Sequence, residues 1–107
     1  MAWYAIRTVY LFGQKPDGTN VFEERVVAFE AASWDEANDK GDAESTAYAE
    51  VNGLEAHPEQ SGYEQDGSAL IDGYEVWSEL FESRLDLDAF YKQRYEAYAF
   101  EPEEGEE

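Results

Sequence analysis

The chain has 107 residues, among which 26 acids stand against 7 Lys and Arg, a formal net charge of -19. That length accommodates one domain and not two, while 43% apolar and 16% aromatic residues supply the core material that disordered chains lack. There is no Cys, which excludes a disulfide framework and a cysteine zinc site.

Residues 2–12, AWYAIRTVYLF, are dense in β-branched and aromatic types and predict a first strand. The segment lacks the basic leader and cleavage pattern of a signal peptide. GQKPDGTN follows, with Pro16, Asp17 and Gly18 as turn formers, and VFEERVVAFEA then reads as a second strand, completing a long antiparallel hairpin. Ser33 with Glu36 fits a capping box, the hydroxyl accepting the Glu36 N–H and the carboxylate returning to the Ser33 N–H, so a helix is expected from Ser33. Trp34, Ala37, Gly41, Tyr48 and Val51 lie near helical spacing, and Asn52-Gly53 offers a left-handed stop.

From Leu54 to Gly67 there is no period, and Pro58, Gly62 and Gly67 predict a long mobile loop. Ser68 to Ile71 is expected to form a brief strand before an Asp72-Gly73 turn, and YEVWSELFES (74–83) alternates as a further full strand. Asp86 or Asp88 can cap a last helix, whose Leu87, Phe90, Tyr91, Arg94, Tyr95 and Tyr98 recur at three and four residues as a stripe facing the sheet. The expected fold is α+β: an antiparallel sheet of about four strands in ββα-loop-ββα order with two helices packed on one face. Residues 1–100 form the single domain, and 101–107, holding five of the acids, form a disordered acidic tail.

The Trp3-Tyr4 strand opening, EERVVAFEA running into SWDEA, EVWSELFES and the closing DLDAFYKQRY resemble, in order and spacing, the small bacterial family catalogued as domain of unknown function 4288. The resemblance covers roughly residues 2–98 and is weakest across 54–70. It implies the α+β fold and a bacterial origin, and carries over no catalytic or binding residue.

The chemistry of catalysis is sparse. His57 is the only histidine, has no base-orienting partner in the pattern, and is read as a surface loop residue. Glu23-Glu24 and Glu103-Glu104 are paired carboxylates, but with 26 acids such pairs arise by abundance and are read as solvated faces. KPDGTN and QDGSALIDG do not fit an EF-hand, and no Gly-rich phosphate cradle is present. No enzyme activity, cofactor or metal is expected.

Residues 41–83 contain eleven Asp and Glu and no Lys or Arg, an uncompensated acidic tract that includes Glu55, Glu59, Glu64 and Asp66. Its field disfavours nucleic acid and anionic membranes and attracts a basic protein surface, and no run approaches the ~20 apolar residues of a membrane span. The strands are also apolar on both faces. Tyr4, Ile6, Tyr10 and Phe12 oppose Trp3, Arg7, Val9 and Leu11 in the first, and Val76 and Leu80 oppose Trp77 and Phe81 in the later one. Two helices on one face leave aromatic surface on the other, marking an interface at Trp3, Arg7, Arg25, Trp77 and Phe81. The reading is a non-enzymatic, cytoplasmic protein-binding domain, of immunity or inhibitor type by analogy, engaging a basic protein. The alternative is a homodimeric housekeeping domain whose acidity serves solubility or high-salt adaptation.

Overall fold

A computed structural model describes residues 1–65, 72–73, 75–78 and 80–100. Its first two elements are the expected hairpin, β1 (Ala2–Gln14) and β2 (Asn20–Ala31), paired antiparallel from Ala2↔Ala31 to Gln14↔Asn20. The turn is held by local polar bonds. Asp17 Oδ1 accepts the Thr19 N–H at 2.9 Å, Gly18 takes a φ of 93°, and the Thr19 bonds hold the Asp17 carboxyl below its ordinary range. The register shifts between Leu11 and Gly13, so Phe12 bulges out of the alternation and is exposed rather than part of the apolar face.

Helix α1 (Trp34–Asn52) starts on the Ser33 cap, whose Oγ accepts the Glu36 N–H at 3.2 Å. The returning Glu36 carboxylate accepts from Ala32 N–H rather than from Ser33, one residue earlier than the capping-box pattern places it. The helix ends where Asn52-Gly53 predicts. Gly53 is left-handed at φ 66°, and Leu54 N–H donates back to the Ala49 carbonyl at 2.9 Å. Its buried row is Ala37, Gly41, Ser45 and Ala49, four small residues one turn apart that let the helix lie close on the sheet; Val51 falls outside that row and is exposed. The core between them is thin: Tyr4, Ile6 and Tyr10 of β1, with Ala31, Ala37 and Ala49.

The second half departs from expectation. Within the stretch read as a loop, β3 (Glu55–Ala56) and β4 (Ser61–Glu64) both pair antiparallel with β1, on the side away from β2. They form one interrupted third strand, since Leu11↔Glu55 and Tyr10↔Ala56 give way to Arg7↔Ser61 through Tyr4↔Glu64 and residues 57–60 stand opposite only Thr8 and Val9. Gln60 turns inward at this interruption, its Nε2 donating to Thr8 Oγ1 at 2.6 Å and to the Gly41 carbonyl at 3.3 Å, which ties sheet to helix. Gly62 is required there, because a Cβ would lie 2.5 Å from Cζ3 of Trp34. The fold is thus α+β with an open antiparallel sheet, but the second strand pair follows α1 directly and the irregular stretch comes after it, not before.

YEVWSELFES is not a strand in its described residues, 75–78 and 80–83, and Ser68–Ile71 lies outside the described residues. The C-terminal helix is shorter than its periodicity predicts. Helix α2 (Leu87–Tyr91), capped by Asp86 Oδ1 on the Ala89 N–H, runs into a single π-helical turn over Lys92–Glu96. It buries no residue and Leu87 is 86% exposed, so the stripe does not face the sheet beside α1. Arg94 and residues 97–100 instead border the opposite face of the hairpin. The 101–107 tail lies outside the described residues.

Candidate functional site

Strand alternation divides the hairpin cleanly. Tyr4, Ile6, Thr8 and Tyr10, with Glu23, Arg25, Val27 and Phe29 opposite, lie beneath α1; Trp3, Ala5, Arg7, Val9 and Leu11, with Phe22, Glu24, Val26, Ala28 and Glu30, form the other face. Arg7 and Arg25 therefore do not share a surface. The register sets Thr8, not Arg7, opposite Arg25, and a one-residue offset moves a side chain to the other face. Arg25 Nη1 bonds Glu44 Oε1 of α1 at 2.8 Å and its guanidinium stacks 3.7 Å from the centre of the Tyr48 ring. The bond to Glu44 raises the Arg25 pKa, so this cation stays charged and committed to the fold. Tyr48 meets Tyr10 edge-on at 5.0 Å and donates to Glu23 at 2.8 Å, a bond that raises its phenol pKa.

The opposite face is partly occupied by the chain's own C-terminal segment. Trp77 sits beneath the Arg7 guanidinium at 4.9 Å and against Tyr63 of β4 at 5.9 Å, and the Tyr63 hydroxyl donates to the Glu75 carboxylate. Val76, Trp3, Ala5, Ala28 and Gln65 surround a void of about 10 Å³. Arg7 and Trp77 are thus in contact, with Trp3 nearby beside Val76, and they are joined by Tyr63, from the stretch read as a loop, and by Glu75, from the stretch read as a strand. Phe81 lies elsewhere, on Phe90 at 5.7 Å and beneath Arg94 at 5.2 Å. Toward the hairpin tip, Arg94 and residues 97–100 leave an open cleft of about 560 Å³ against Val9, Phe22, Glu24 and Lys15. Beyond this cover, Phe22 and Val26 remain 62% and 48% exposed.

The acids of the tract have a different address. Asp42 and Glu50 lie on the solvent side of α1, Glu55 and Glu64 on the third strand, and Glu59 at its interruption, all exposed. Ion pairs join Arg25 to Glu44, Lys40 to Glu36 and Lys92 to Asp88; among the described residues none involves Glu50, Glu55, Glu59 or Glu64. Glu64 lies across from Tyr4, whose phenol pKa is raised by burial first and by the Glu64 and Glu36 carboxylates after it. Asp66 lies outside the described residues. His57 is exposed, its Nδ1 accepting the Glu59 N–H at 3.1 Å. Among the described residues no group of three His, Asp or Glu side chains could hold a metal ion, and no helix is long and apolar enough to cross a membrane. No family model, curated protein or solved structure matches the chain.

Proposed function

We propose that this chain is a non-enzymatic protein-binding domain, of immunity or inhibitor type, that engages a basic protein through its acidic surface. The observation that carries the reading is the exposed run of Asp42, Glu50, Glu55, Glu59 and Glu64 in a tract without one Lys or Arg, on a molecule of formal charge -19. Such a field speeds encounter with a cationic surface and holds it by contacts that salt screens. Two of the cations beside this surface, Arg25 and Lys40, are already paired with Glu44 and Glu36. The test is capture from lysate by the immobilised full chain at about 50 mM and about 500 mM salt, beside a Glu55→Gln, Glu59→Gln, Glu64→Gln triple variant. A basic protein retained at low salt, lost at high salt and weakened by the triple variant is the expected result. No partner at either salt concentration overturns the reading.

A further inference from the structure

The two edges of the sheet are not alike. The β3/β4 edge is short and broken at residues 57–60, where Pro58 lies; β2 is an edge of 12 uninterrupted residues with neither Pro nor Lys in it. Natural sheets blunt their edges with charged side chains, above all Lys, with Pro, with bulges or by brevity, because a row of unpaired N–H and C=O groups templates another strand. The third strand carries Pro and is short, whereas β2 is long and carries only charge, at Glu23, Glu24, Arg25 and Glu30.

Which β2 groups face outward follows from the bonds on the far side of β1. Gln65 N–H donates to the Trp3 carbonyl at 2.9 Å and His57 N–H to the Val9 carbonyl at 2.8 Å, so these β1 residues direct their backbone away from β2. Their β2 partners, Glu30 and Glu24, therefore sit in non-hydrogen-bonded pairs and turn their own N–H and C=O groups outward, as do Phe22, Val26 and Ala28 between and beyond them. One of these groups reports the direction independently: the Glu30 carbonyl accepts Lys40 Nζ at 2.6 Å, which stoppers that end of the edge. From Phe22 to Ala28 no strand pairs this side among the described residues. The same residues present exposed Phe22, Val26 and Ala28 beside the carboxylates of Glu24 and Glu30, while the one cation of the strand, Arg25, faces α1 and is bonded to Glu44.

We infer that an extended, Lys- or Arg-bearing segment of a partner protein adds as a new strand to the outer edge of β2 over Phe22–Ala28. Main-chain bonds supply the docking, and the exposed Glu24 carboxylate within that segment, with Glu30 just past its end, favours cationic side chains in the added strand. This rests on the basic-partner reading above and names its mode. A second copy of the chain fits the edge less well, because each copy carries -19.

The probe is a blocked peptide of about eight residues alternating lysine and threonine, compared on the full chain with the same peptide N-methylated at every amide, which keeps the charge and removes the donors. The expected result is that the unmethylated peptide slows amide exchange of Phe22, Glu24, Val26 and Ala28 and binds at least about tenfold more tightly than the methylated one. Val26→Pro deletes only an outward N–H, so it is expected to melt cooperatively while losing that binding by a similar factor. Equal binding of the two peptides overturns strand addition and leaves the basic-partner reading standing, whereas no binding of either at low salt removes both. Slow exchange of the same four amides in a peptide-free dimer assigns the edge to a second copy and also overturns the proposal.

Discussion

Gly41 shows how a residue that is unfavourable locally is fixed by its neighbours. In a helix interior glycine costs about 1 kcal/mol against alanine, yet a Cβ here would stand 2.9 Å from Cγ2 of Ile6 and 3.2 Å from Oε1 of Gln60. Overpacking of this kind costs about 1–3 kcal/mol, so the steric term outweighs the propensity gain. Gly41→Ala is expected to destabilise the chain by up to about 2 kcal/mol in urea unfolding; a gain in stability would show that the helix can back away from the sheet without cost. Arg25 makes a related point. Its charge was legible in the sequence, but its destination depends on a pairing register set by the turn and by the bulge at Phe12, and that register gives it to Glu44 rather than to the open face.

At the scale of elements, the hairpin and α1 were readable because their signals are local: alternation, turn formers, a cap and a left-handed stop. Ser33→Ala removes the acceptor of the Glu36 N–H and is expected to cost about 1 kcal/mol, measured by chemical denaturation, with Ser33→Asp retaining most of the stability. The third strand was not readable, since SGYE has no alternating apolar face and owes its extended conformation to the free side of β1 and its glycine to the ring of Trp34. The stretch at 74–83 errs in the opposite direction. Its alternation is strand-like, but Trp77 finds Arg7 and Tyr63 by lying across the sheet instead of joining it.

For the whole molecule, the charge surplus governs behaviour that no single pair controls. With -19 on 107 residues, self-repulsion opposes compaction, and screening by salt relieves it over a Debye length of about 10 Å at 0.1 M. The melting temperature is therefore expected to rise as NaCl increases from about 20 to 300 mM, a trend that differential scanning calorimetry measures directly. A flat profile over that range would mean that the acids stand too far apart to repel.

Composition and local pattern alone determined the α+β class, the long hairpin, the limits of α1 and the acidic tract, because each depends on residues near in sequence or on a sum over the chain. Tertiary structure decided which face each strand residue occupies, that residues 55–64 complete the sheet, and that the C-terminal segment lies opposite α1. It also decided that, among the described residues, no strand pairs the outer side of β2. Those outcomes rest on hydrogen-bond register and on contacts between distant segments, which are energies of pairs that no window along the chain contains.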